Sequence, residues 1–193
     1  MAMRNDKDGY GTVTKSLHWT IFILFTVMFV LGFGLMGGSE GSTAFGAAWS
    51  SVFDWHATLG LIVLVLALVR IVWRAKTPLP SWAPGLSTRE RSLAHRTEQV
   101  MYFVMVAKPL SGYVLAGSAG HSIHLFGAVP FGNPFGDSST LESIALAIHI
   151  VTGVMFLLVW VVHVGQALRH QFMLKDGLLR RMLPADRDRV SPE

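Results

Sequence analysis

The chain has 193 residues, of which 51% are hydrophobic and only 15% charged, well short of the quarter or so that an ordinary soluble domain carries. It contains no cysteine, which excludes disulfides, iron–sulfur clusters, thiolate-ligated haem and the C-x-x-C-H attachment of c-type haem. The net charge of +4 sits in a few segments, where it reads as membrane topology and not as a nucleic-acid footprint.

Four apolar blocks are each about long enough to cross a bilayer. They predict an all-α fold, a four-helix transmembrane bundle forming a single membrane domain over 1–193. The expected spans are about 17–36, 54–75, 92–117 and 143–168, with 1–15 and 170–193 as tails. Arg4, Lys7 and Lys15 precede the first block. Arg70, Arg74, Lys76, Arg89, Arg91 and Arg96 cluster around the connection between the second and third. Arg169, Lys175, Arg180, Arg181, Arg187 and Arg189 follow the fourth, and the other two loops hold no Lys or Arg. By the positive-inside rule both termini and the central loop are cytoplasmic.

Residues 1–15 read as a polar, glycine-containing mobile tail. The first block has the length of a span, not of a signal-peptide core, and no small-residue cleavage site follows it. It opens with His18 beside Trp19. The loop 37–53 is rich in Gly, Ser and Ala and reads as irregular. Asp54 is placed as the N-cap of the second helix, ahead of Trp55 and His56. Pro78, Pro80, Pro84 and Gly85 make the next connection turn-rich, and Ser87 with Glu90 fits a capping box opening the third helix. That helix carries His95, Arg96 and Glu98 near its cytoplasmic end and Lys108-Pro109 towards its outer end, where the proline is expected to bend it. The glycine-rich loop 118–142 holds His121, His124 and Asp137 and has room for a short surface element.

The fourth block carries His149 and His163, 14 residues apart. That step falls within roughly 40° of a whole number of turns and spans roughly 21 Å, so both imidazoles leave one face near opposite membrane surfaces. Threading the four spans through the bilayer pairs the histidines by depth, His56 with His149 on the outer side and His18 with His163 on the inner. Ionisable groups inside spans mark function, because burying them in hydrocarbon is costly. Four at two matched depths suit bis-histidine ligation of two stacked b haems. They suit interhelical hydrogen bonding or a metal-transport path less well. Gly60 and Gly153, each one turn below an upper histidine, leave space for a macrocycle.

Arg70 follows His56 by the same 14-residue step and is expected either to meet a propionate of the inner haem or to snorkel to the boundary. Lys108, the only Lys or Arg of the outer half, is expected to pair with an outer propionate, to set a local potential, or to snorkel outward. His95 is the best placed of the remaining histidines for a quinone headgroup or a proton. His121, His124 and His170 read individually as surface residues.

These residues carry a resemblance. Ser16-Leu17-His18-Trp19, Trp55 to Gly60, Leu68-Val69-Arg70, Leu93-Ala94-His95, Phe126-Gly127 with Pro130, His149 to Gly153, His163 and Arg181-Met182-Leu183-Pro184 resemble the bacterial cytochrome b561 family. The match runs from about Val13 to Pro184. The family includes superoxide:ubiquinone oxidoreductases and is related to hydrogenase-type cytochrome b subunits. The resemblance implies an inner-membrane protein with two non-covalent haem b groups, held by His18, His56, His149 and His163. It also implies one-electron traffic from an outer-side donor to ubiquinone. Lys108 stands where the family pattern leads one to expect an apolar residue.

On this basis superoxide is the expected donor, drawn in by Lys108, His121 and His124 as the basic groups of the outer side. The alternative is an electron-transfer partner or anchor cytochrome for a separate periplasmic redox protein or dehydrogenase.

Overall fold

A computed structural model describes residues 2–7, 9–83 and 85–183. Pro84, Pro184, Arg187, Arg189 and the rest of the expected tail beyond 183 lie outside the described residues.

Four long helices make up the molecule: α1 (Thr12–Leu35), α2 (Trp49–Lys76), α3 (Thr88–Ser118) and α4 (Ser139–Arg169). All four are long and apolar enough to span a membrane. Their outward faces are apolar as well. Val30, Val65, Ile150, Val154 and Leu158 are all more than half exposed, a surface that water would penalise and hydrocarbon would not. The buried core is Ile21, Phe25, Val63, Ala67, Val104, Met105 and Phe156, with contributions from every helix.

The α1–α2 connection carries a two-residue pair of strands, β1 (Thr43–Ala44) with β2 (Ala47–Ala48). The α3–α4 connection carries an antiparallel hairpin, β3 (Ile123–Leu125) with β4 (Val129–Phe131), which fills the space that the sequence left for a surface element. This end of the bundle is the hairpin end. The opposite end holds the start of α1, the end of α4 and most of the described Lys and Arg, and is the basic end.

Helix α2 begins five residues earlier than expected, and Asp54 does not cap it. Trp49 and Phe53 stack on one another at 5.2 Å and pack against the His121 ring, so burial of aromatic surface carries the extra turn and a half. Asp54 instead reaches across to accept the backbone N–H of His124, fastening the hairpin to α2. The expected capping box is present: Ser87 Oγ accepts Glu90 N–H and Glu90 accepts Ser87 N–H.

The segment 2–11 is not a loose tail. Asn5 is buried, accepts from Gly11 N–H and Thr14 Oγ1, and donates to the Pro78 carbonyl. Gly11 has to be glycine, since a Cβ there would lie 2.4 Å from the Arg4 carbonyl carbon. After α4 the chain makes one π-helical turn (His170–Leu174) and a 3-10 turn (Leu179–Met182). The Met182 and Leu183 carbonyls accept from Trp19 Nε1 and Lys15 Nζ of α1. His170, read from sequence as a surface residue, is 3% exposed and bonds Asp176 through Nδ1.

Candidate cofactor site

Helices α2 and α4 run in the same direction and α1 opposite to them, which brings the four span histidines together in two pairs. His56 of α2 and His149 of α4 have ring centres 6.4 Å apart towards the hairpin end. His18 of α1 and His163 of α4 have ring centres 6.0 Å apart towards the basic end. Two imidazoles binding one metal from opposite sides, each at about 2 Å, hold their ring centres roughly 6 Å apart. Between the two levels lies an aromatic layer: Phe22 on Trp160 at 5.9 Å, Phe25 on Phe156 at 4.2 Å and Phe29 on Phe156 at 5.4 Å, all stacked.

Each level also contains one cation directed at one imidazole. At the hairpin-end level, Lys108 Nζ lies 3.1 Å from His149 Nε2 and donates to the His149 carbonyl at 3.2 Å. His149 Nδ1 lies 3.1 Å from the Lys108 carbonyl, which only accepts, so Nδ1 carries the proton and Nε2 accepts from the ammonium. At the basic-end level, Arg70 Nη2 lies 3.3 Å from His18 Nδ1, which accepts because a guanidinium only donates. Arg70 also lies over the Tyr102 ring, at 5.9 Å from its centroid. Neither cation snorkels. Both turn inward onto the histidine pairs.

A haem fits these residues on three observations. His56 Nδ1 is buried without a hydrogen-bond partner, a state that costs energy unless the ring has another use. Gly153 and Gly60 leave space next to the hairpin-end pair, and that space holds only the far ends of flexible chains. A Cβ at Gly153 would meet Lys108 Nζ at 2.9 Å, and one at Gly60 would meet Met28 Cε at 3.3 Å. The donor set is four imidazoles in a chain without cysteine, which suits non-covalent b-type haem.

Two further glycines belong to the site and escaped the reading of the sequence. A Cβ on Gly112 of α3 would come 2.9 Å from His149 Cε1, and one on Gly32 of α1 would come 3.2 Å from His56 Cε1. Each lets a ring lie against the backbone of a neighbouring helix. Gly32 follows His18 in α1 by the same 14-residue step that separates His149 from His163, a spacing that would have marked it, whereas Gly112 has no such relation to His95 of its own helix.

The residues read as one outer basic group are not gathered into one. Lys108 faces His149. His121 Nδ1 is 3.6 Å from Glu40, and His124 Nδ1 is 3.8 Å from Asp54. His95 does not reach the basic-end pair; it is half exposed, 3.9 Å from Glu98 and 3.3 Å from Gln99 on its own helix.

The chain is similar to known proteins along nearly its whole length. The family model described as prokaryotic cytochrome b561 matches residues 9–185. Cytochrome b561 homolog 2 of Escherichia coli (strain K12) is 26% identical over 183 residues, covering 95% of both chains. Probable superoxide oxidase CybB of Yersinia pestis is 27% identical over 180 residues, 92% of this chain and 97% of that one. Cytochrome b562 of Cereibacter sphaeroides is 26% identical over 183 residues, 91% of this chain and 95% of that one. With four membrane-spanning helices and a match over nearly its whole length, the chain belongs to the prokaryotic cytochrome b561 family of haem-binding membrane electron-transfer proteins.

Proposed function

We propose that the chain is a di-haem cytochrome, a single membrane domain with both termini cytoplasmic, that passes electrons from a donor on the outer side to ubiquinone. The observation that carries this is the pair of imidazole pairs, at 6.4 and 6.0 Å, at two levels of one bundle. His56 and His149 hold one haem b, and His18 and His163 the other; each haem supplies a one-electron carrier. The protein holds the rings in place. The Lys108 carbonyl fixes the tautomer of His149 with Nδ1 protonated, as a ligating histidine requires, and the Lys108 ammonium, 3.1 Å from Nε2, would have to give up that nitrogen to a haem. Arg70 would likewise have to give up His18 Nδ1 and would stay beside the site as a cation.

Superoxide is the first donor to test, supported by the name of the Yersinia relative. Its oxidation to oxygen releases one electron and needs no proton, so two superoxide ions and two protons balance the reduction of one quinone to quinol. The charge of the hairpin end supports a second reading. Its described residues include four acids, Glu40, Asp54, Asp137 and Glu142, against the single Lys108. A periplasmic redox protein with a positive face complements that surface better than an anion does.

A haem count tests the cofactor reading: two per purified chain, falling to one when His56, His149, His18 or His163 is replaced singly by Ala. Retention of both after any one change refutes the pairing. Stopped-flow mixing of the oxidised protein with superoxide separates the donors, since reduction near the diffusion limit supports superoxide. Reduction slower by orders of magnitude supports a protein donor.

A further inference from the structure

The β3–β4 hairpin reaches deeper than a surface loop would. The N–H of Phe126, at its tip, donates to Thr58 Oγ1 of α2 at 3.0 Å, and Thr58 lies two residues further into that helix than His56. At 1.5 Å per residue Thr58 is roughly 14 Å along α2 from Trp49, slightly beyond the level of His56. The hairpin has thus folded back along the bundle, and its tip rests beside the apolar part of α2.

From Ser122 to Gly136 the sequence holds no Asp, Glu, Lys or Arg. Phe126 and Val129 are more than half exposed, and Phe131 and Phe135 more than a third. Phe126 is also held at φ 55°, a left-handed conformation that bulky L residues rarely adopt. Such an outlier persists only where its surroundings enforce it. Here the Thr58 hydroxyl holds its N–H, and the Trp55 ring meets its ring edge-on at 6.0 Å.

We infer that the hairpin is a membrane-embedded element, with Phe126, Val129 and Phe131 at the boundary between headgroups and acyl chains of the leaflet at the hairpin end. Two observations select lipid as the occupant. The first is continuity: Trp55 joins the tip to the exposed apolar face of α2, and Tyr113 of α3 meets Phe131 and Phe135 edge-on at 5.5 and 5.3 Å. Aromatic side chains gather at this depth of a bilayer. The second is the backbone. Asp54 accepts the N–H of His124, Thr58 that of Phe126, and the carbonyls of His124 and Leu125 those of Gly127 and Ala128. Non-helical chain enters hydrocarbon only when its polar groups are satisfied within the protein, and these four donors are. The hairpin carries no cation for a lipid phosphate, so burial of apolar area drives its entry. Lipid then flanks α2 at the level of His56 and keeps water from that side.

The chain has no cysteine, so Val129→Cys gives a nitroxide label a single point of attachment. The holoprotein is placed in phosphatidylcholine nanodiscs. Power saturation of the label's EPR signal then compares its collisions with oxygen, which concentrates in lipid, and with a water-soluble nickel chelate, each against a nitrogen baseline. Val65→Cys, on the exposed apolar face of α2, is the lipid reference, and Thr140→Cys, exposed at the start of α4, is the water reference. The oxygen-to-nickel ratio at 129 should be roughly fivefold or more above that at 140 and within about twofold of that at 65, as burial at the acyl boundary requires. A ratio like that at 140 puts the hairpin in water and overturns the inference. Low collision with both reagents overturns it as well, because it shows the tip covered by a second copy of the chain. If Val129→Cys fails to take up haem, Ala128→Cys, a smaller change at an exposed position of the tip, is read against the same references and decides by the same outcomes.

Discussion

The contact between Lys108 and His149 predicts an unusual effect of removing a charge. In this structure the ammonium occupies His149 Nε2 at 3.1 Å and lies where a side chain on Gly153 would be. His149 Nδ1 is already committed to the Lys108 carbonyl. Iron can therefore reach this ring only through Nε2, after the ammonium has left. A hydrogen bond to a charged group contributes about 1.5–3 kcal/mol, and that contribution is lost when the haem binds. Lys108→Met keeps a flexible chain of similar length and removes the competitor. On the proposed ligation, a haem at the His56–His149 pair should then bind roughly 10- to 100-fold more tightly, by the rule that about 1.4 kcal/mol is a factor of ten. The assay is titration of haem into apoprotein in detergent, followed in the Soret band, with the inner site as internal reference. Weaker binding in Lys108→Met would refute the reasoning. It would mean that the lysine swings from His149 to a haem propionate and holds the group it was supposed to obstruct.

Other expectations follow from particular contacts. Gly112→Ala places a methyl group 2.9 Å from His149 Cε1 and should lower outer-haem occupancy, while Gly165→Ala, with nothing within 4 Å, should leave both sites full in the same haem count. Phe156→Ala removes a 3% exposed ring that stacks on Phe25 and Phe29 and should cost about 3–5 kcal/mol, read as a fall in the detergent melting temperature. At the basic end, burial pushes the Asp176 carboxyl up, but hydrogen bonds from His170 and from Leu178 N–H outweigh it and hold the group below the usual carboxylate range. A depressed folded value stabilises above the ordinary carboxylate range and stops doing so as pH falls through the depressed value. Protection factors against amide exchange in 170–183, taken relative to the intrinsic rate at each pH, should therefore fall on acidification; protection that stays constant to well below the carboxylate range would contradict this.

The parts of the site that were legible in the sequence are those fixed by the geometry of one helix. His149 with His163, and His56 with Arg70, are each separated by 14 residues, and any straight helix puts such residues on one side at two heights. What the sequence did not reveal depends on contacts between helices. Lys108 reads as a propionate partner, a source of local potential or a snorkelling lysine, and not as a partner of His149, because nothing local shows that Gly153 of another helix leaves room for its ammonium. Gly112 looks like an ordinary membrane-helix glycine until His149 of a neighbouring helix lies against it, whereas Gly32, 14 residues from His18, could have been found by the single-helix rule. Asp54 has the composition of an N-cap, but packing of Trp49 and Phe53 on the hairpin extends the helix past it. The described residues ahead of α1 look free because their polar side chains give no hydrophobic pattern, although Asn5 alone ties them to Thr14 of α1 and to the Pro78 carbonyl.

The distribution of charge bears on the direction of electron flow more than either cation does alone. Among the described residues the basic end has thirteen Lys and Arg against four acids, and the hairpin end has one Lys against four acids. Arg70 and Lys108 give each histidine level one adjacent cation, so the local contacts nearly cancel between the two. What remains is the difference between the two ends. Within the low-dielectric bundle that difference favours an added electron at the basic end, because surface charges are screened in water but act through the hydrocarbon-like interior. An electron entering near His56 and His149 is thus drawn towards His18 and His163. The same distribution repels an anionic donor. If superoxide is that donor, its reaction should speed up as added salt screens the hairpin-end acids. A rate that falls with salt would show that Lys108, His121 and His124 outweigh Glu40, Asp54, Asp137 and Glu142 at the point of approach.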